Sequence, residues 1–281
     1  MFRKLSMRRT ERLAVIRGTR GPNRSLPLSH EPDGLVSRFV TGPASMIDYY
    51  AKGYGIPRGK TLLLHNDVDV DVLGAMSGLA VRAQFRSRLG IPDEAEVLTY
   101  VGRVDRLNLG DGEMLAGVAD AILTDRPEAR LILVGRVNFA ALVERLKAMP
   151  WGDRVHATGI VPFEEAAGYF VAADVAIFPV IAAGFPRVVL EAMALGVPFV
   201  TTDRGGVPDL VTPEQERFVV PWGDGAGFAR GVEAILSDDD LGETLRSVGR
   251  QHVKNFSTNV EARDFYEKIV VQFTSAGKRS Q

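Results

Sequence analysis

The chain has 281 residues, 46% of them hydrophobic and 25% charged, with a formal net charge of −1. That balance provides for one large core or two domains and carries no whole-chain nucleic-acid signature. Cysteine is absent, which excludes a disulfide framework, Cys-ligated zinc and a thiol nucleophile, and no run approaches the roughly 18 apolar residues of a spanning helix.

The start, MFRKLSMRRTERLAVIRG, is basic but lacks the apolar stretch of a secretory signal. Residues 3–24 hold eight Lys or Arg and one acid, Glu11. Two readings stand side by side: contact with an anionic membrane surface, or a solvated leader. A reducing cytoplasm suits a chain without cysteine, so the expected location is cytoplasmic, with any membrane contact peripheral and on the inner face. Residues 20–34 carry three prolines and no periodicity, and read as loop. GLVSRFVTG (34–42) reads as a strand and SMIDYYAKGYG (45–55) as a short helix closed by glycine.

A regular rhythm begins at residue 59. TLLLH (61–65) reads as a strand, and LAVRAQFRSRLG (79–90) as a helix ended by Gly90 and Pro92. Strands are predicted at 96–102, 130–135, 154–159, 175–180, 198–202 and 217–221. Helices are predicted at 111–125, 139–149, 163–173 and 226–238, and two polar helices at about 240–254 and 257–275. Short apolar strands alternating with helices of 10–15 residues predict an α/β fold with a doubly wound parallel sheet. The chain divides into a basic leader over 1–58, a Rossmann-like α/β unit over 59–256, and a C-terminal helix and tail over 257–281.

Several motifs fail on spacing. RGKT (58–61) lacks the P-loop glycine, because Tyr54 stands five before Gly59 and a strand follows. GDGEML (110–115) has Leu115 where a dinucleotide fingerprint needs its third glycine. The four histidines show no ligand spacing. NDVDVDV (66–72) contains overlapping D-x-D pairs, which either hold a divalent metal or form a solvated loop.

The stretch IAAGFPRVVLEAMALG (181–196) is more specific. Gly184 allows close approach to the backbone, and Pro186 suits the first helical position. The helix therefore starts near Arg187, with bare N–H groups that favour an anion, usually phosphate. Gly196 and Pro198 end it. Glu191 lies one turn inside, too deep to cap. Unpaired burial would cost it several kcal/mol, so partners are required: the two hydroxyls of a ribose, or a neighbouring Arg or backbone group.

Set in order, GRVDRLNLGDGEML (102–115), RPEARLILVG (126–135), Gly159, YFVAADVAIFP (169–179), GFPRVVLEAMALGVPFVTT (184–202), RGGVPDLV (204–211) and FVVPWGD (218–224) resemble the donor half of GT-B glycosyltransferases of family 4, the group 1 glycosyltransferases. The resemblance covers about residues 60–275. LLLHNDVD (62–69) is similar to the entering segment, usually N-G-V-D, with Asp67 in place of glycine.

The resemblance implies a nucleoside-diphosphate sugar held between two Rossmann-like domains, and transfer that retains configuration and needs no metal or other cofactor. It assigns Arg103 to the diphosphate, the backbone of Gly184, Phe185, Pro186 and Arg187 to the phosphate cradle, and Glu191 to the ribose. Gly159, Ile160 and Val161 correspond to the backbone that reads the base.

Two residues depart from the pattern. Leu109 stands where the family usually has Lys, and Ala183 where the first Glu of E-x7-E belongs, with Arg106 or Arg187 as candidate substitutes for the missing cation. Only about 58 residues precede the donor half, so residues 34–58 are expected to be the last elements of an acceptor domain. A separate acceptor-domain chain is then a candidate partner. Three functions remain open at this stage: a glycosyltransferase or part of one, a non-catalytic nucleotide-binding module, and a metal-dependent α/β protein using the D-x-D run.

Overall fold

A computed structural model describes residues 13–15, 38–104, 109–137, 140–179 and 185–271. Most of the basic stretch 3–24 thus lies outside the described residues, as do Arg106, Val180–Gly184 and Phe273.

Two parallel sheets organise the chain. The smaller has strands β1 (Leu13–Val15), β2 (Arg38–Thr41) and β3 (Thr61–Leu63), in that order. Helix α1 (Ser45–Tyr54) joins β2 to β3 and ends at Gly55, whose φ of 65° gives the left-handed stop. The strand at 61–63 groups with the following rhythm in the sequence, but it pairs with β2. Sequence rhythm marks a strand without naming its neighbour.

Between the sheets run α2 (Val70–Ala75) and α3 (Leu79–Arg88). Within the D-x-D run Asp69 is a helix cap, its carboxylate accepting from Val72 N at 3.0 Å. An Asp just ahead of apolar residues satisfies an orphan helix donor.

The larger sheet contains β4 (Val97–Val104), β5 (Arg130–Val137), β6 (Val155–Gly159), β7 (Val175–Phe178), β8 (Phe199–Thr202) and β9 (Val219–Val220). All pair in parallel, in the order β6-β5-β4-β7-β8-β9. Helices α4 (Leu109–Asp125), α5 (Ala140–Lys147), α6 (Phe163–Val171), α7 (Arg187–Leu195), α8 (Pro213–Glu216), α9 (Gly225–Leu236) and α10 (Asp239–His252) follow in chain order. Alternation along the strands decides the layering. Val97, Ile132, Val134, Ala176, Phe178 and Phe199 face one core, with α3, α6 and α7. Leu98, Leu131, Leu133, Val175, Ile177 and Val200 face the other, with α4, α5 and α9. Both faces of the inner strands β4, β5, β7 and β8 are buried, as doubly wound sheets require, while the edge strand β6 is partly exposed. The predicted helix over 257–275 is α11 (Thr258–Phe265) followed by a π-helical turn, Tyr266–Val271, with Phe265 and Tyr266 exposed.

The chain order reverses between β4 and β7, and their ladder is short: Leu98 opposite Val175 and Thr99 opposite Ala176. Asp174 extends it. Its N–H donates to Val97 O and its carboxylate accepts from Val97 N, both at 2.8 Å. The same carboxylate accepts from Arg82 at 2.5 Å and Arg86 at 2.9 Å. Arg86 is 1% exposed and also donates to the carbonyls of Ala172, Pro92, Asp93 and Ala95. Burial lowers its pKa and Asp174 opposes that shift; the guanidinium remains charged. Asp174→Ala would leave this buried cation without its counter-charge. It is expected to cost about 3 kcal/mol or more in a urea unfolding titration, with Leu98→Ala as a cavity control.

Candidate functional site

In a parallel sheet every strand delivers its carboxyl end to the same edge, and ligands favour the point where strand order reverses. A cleft of about 400 Å³ opens at that edge, lined by Val101 and Gly102 of β4, Val134 and Gly135 of β5, Ile160, Val161 and Ala166. Its floor is bare peptide. Gly102 and Gly135 are register partners. A Cβ on Gly135 would stand 2.2 Å from Gly102 O, and its φ is +109°. Only glycine meets both conditions.

The tetrapeptide Val-Gly-Arg-Val occurs at 101–104 and again at 134–137, and the two copies pair residue by residue. That repeat was the available sequence signal for the cleft floor, and motif-by-motif reading passes over it. Gly159 closes β6 with a φ of +72°, and Ile160 beyond it is 69% exposed at the lip. The predicted Gly159–Val161 segment therefore shares one cleft with the residues just before Arg103. Arg103 itself belongs to β4 and Leu109 opens α4.

The predicted helix start is at α7. Pro186 is the N-cap, one position ahead of the first-turn place expected for it, with ψ of 102° and Arg187 as the first helical residue. Gly196 ends the helix with a φ of +70°. Phe185 and Pro186 are buried while Arg187 is exposed. Ala183 and Gly184 lie outside the described residues. Val188 packs against the same core as the cleft residues Val101, Val161 and Ala166, so the start of α7 and the cleft flank one face of the sheet.

Glu191 is partly buried, and among the described residues it has neither a hydrogen bond nor a close ion pair. Burial pushes its carboxyl above the ordinary glutamate range, while Arg187, one turn earlier, pulls it part of the way back. A partly dehydrated carboxylate without a donor is poised to accept hydrogen bonds from outside the fold. Among the described residues no three His, Asp or Glu side chains gather as a metal site would need.

The segment 62–69, which resembles the entrance to this half, touches the start of α7. Asn66 Nδ2 donates to Phe185 O at 2.7 Å, and the His65 ring lies 4.8 Å from the Phe185 ring. Nearby, Ala44 N at the start of α1 donates to Asp209 Oδ2 at 2.5 Å, which ties the smaller sheet to the loop after β8.

Residues 95–238 match the family model described as glycosyl transferases group 1. The chain belongs to that family. The group 1 match runs from the lead-in of β4 to the end of α9, so it covers the larger sheet. D-inositol 3-phosphate glycosyltransferase of Streptomyces avermitilis is 28% identical over 235 residues, covering 80% of this chain and 50% of that protein. The chain thus spans about half the length of the curated relatives it matches. Among solved structures, sucrose-phosphate synthase from Thermosynechococcus elongatus superposes with a TM-score of 0.72 at 26% identity, covering 85% of this chain and 59% of that one. HepE of Anabaena, solved in complex with UDP, gives a TM-score of 0.79 at 17% identity, covering 94% of this chain and 73% of that one. These neighbours share the GT-B architecture of the parallel sheet described above. Among the described residues no helix is long and apolar enough to cross a membrane.

The raised carboxyl of Glu191 has a stability consequence. The folded state holds a proton that the unfolded chain has already released, so this group's contribution to stability falls as pH rises from the ordinary glutamate range into the raised one. Glu191→Gln removes the slope. The variant is expected to melt above the wild type at neutral pH, with the gap closing as pH falls, in scans across pH 4 to 8.

Proposed function

We propose that this chain is the donor-binding part of a group 1 glycosyltransferase that takes a nucleoside-diphosphate sugar and transfers the sugar with retention, without a divalent metal. The diphosphate lies against the amino end of α7, where Phe185 to Arg187 and the backbone of Gly184 form the cradle. Arg103 faces the leaving diphosphate and supplies fixed positive charge as negative charge develops there. Glu191 accepts from the ribose hydroxyls, and the cleft beside Gly159, Ile160 and Val161 takes the base.

One observation carries this reading: Glu191 is a partly dehydrated carboxylate with no donor among the described residues, one turn into a helix whose amino end is free of a side-chain cap. A glutamate kept only for folding would have a partner or would lie at the surface. The UDP held by the Anabaena neighbour makes UDP the first probe to try.

Leu109 and Ala183 favour a second reading, a nucleotide-binding module without catalysis. Both positions are neutral where the family usually carries charge, and losing one preorganised charge typically costs on the order of 10²–10³ in rate. A subunit completed by a separate acceptor-domain chain is compatible with either reading.

Calorimetry separates the possibilities. UDP, GDP or ADP is expected to bind wild type equally well with and without Mg²⁺. Glu191→Ala is expected to weaken that binding about tenfold or more, the scale of charge-assisted hydrogen bonds. Equal affinity in the two proteins would remove Glu191 from the site. The double variant Leu109→Lys with Ala183→Glu is expected to raise donor hydrolysis; no rise favours the binding module.

A further inference from the structure

We infer that Asn66, in the segment joining the two sheets, is a positioning residue for the phosphate cradle; this rests on the nucleotide-binding reading above. The Phe185–Pro186 peptide plane carries an oxygen and no hydrogen, because proline lacks an N–H. At the mouth of an anion site a carbonyl oxygen presents the wrong end of its dipole. Asn66 Nδ2 occupies that oxygen at 2.7 Å in a part-buried contact. The bond fixes the last peptide before the helix and so sets the direction of the first free N–H groups of α7.

Asn66 is itself held firmly. On its amino side His65 is enclosed by the rings of Phe185 and Phe256, at 4.8 and 5.3 Å, and its Nδ1 lies 3.4 Å from Glu261 Oε1. Lys268 Nζ donates to Leu63 O at 3.3 Å. On its carboxyl side Val68 N donates to Phe256 O and Thr258 N donates to Val68 O, each at 3.1 Å. The segment is thus laced to the C-terminal elements on both sides of Asn66, and its amide reaches Phe185 from a fixed base. A side chain mobile enough to find other partners would not set a peptide plane; this one has its backbone pinned within two residues.

The effect falls on phosphate and spares the base. Asn66→Ala is expected to weaken binding of whichever of UDP, GDP and ADP the wild type takes by about fivefold, the scale of one buried hydrogen bond. Affinity for the corresponding nucleoside, uridine, guanosine or adenosine, should stay as it is in wild type, because the cleft floor at Gly102 and Gly135 does not touch Asn66. Titration calorimetry for the diphosphate and competition for the nucleoside read both numbers, and thermal melting verifies folding. Asn66→Ser, whose hydroxyl falls short of the carbonyl, carries the same expectation and serves if the alanine variant does not fold. Unchanged diphosphate affinity overturns the inference, and so does a parallel loss for diphosphate and nucleoside, which would mark a general structural role. A wild type that binds none of the three diphosphates sinks the underlying reading itself, and that result is told apart before any variant is made.

Discussion

The contact between β4 and β7 is the constraint on which the larger domain depends. Here chain order reverses, the arrangement at which doubly wound sheets usually offer a crevice to a ligand. Yet the ladder that joins the strands has only two residue pairs. Asp174 makes up the shortfall by pairing with Val97 through both its backbone and its carboxylate. Arg82 and Arg86 hold that carboxylate in place, and Arg86 also satisfies the Ala172 carbonyl at the end of α6. The cation is affordable inside because its donors have acceptors. A polar device at the amino end of the strands thus secures the junction where the order reverses.

Much of the fold was legible because both signals it uses are local. Apolar runs bounded by glycine or proline mark the strands, and caps mark the helices: Gly55, Asp224 and Asp238 stand where the boundaries fall. Pairing is not local. TLLL has the composition of any buried strand, and only hydrogen bonds to β2 assign it to the smaller sheet. The D-x-D run illustrates a different limit. Alternating acids look alike whether they ligate or cap, and Asp69 is distinguished by the amide of Val72 three residues on.

The candidate site was half legible. Glu191 stands out in sequence as an acid among apolar residues, and the structure adds that it has no donor among the described residues. The start of α7 could be placed from Pro186 to within one residue. The cleft floor could not be, since its signal is a repeat in two segments that touch only after folding. Asn66 was hidden for a related reason: its partner, Phe185, is more than a hundred residues away, and an Asn in a short linker has the look of turn chemistry. Leu109 and Ala183 show the converse, departures from the family pattern that are plain in the sequence alone.

The paired glycines carry one more implication. Because the base of the cleft is main chain packed against main chain, it cannot be re-tailored by exchanging side chains; any Cβ at position 135 collides with the neighbouring strand. What the cleft accepts is therefore set by the side chains that line it, Val101 and Val134 beside the glycines and Ile160, Val161 and Ala166 at the rim. The foundation stays invariant by geometry while the lip is free to vary.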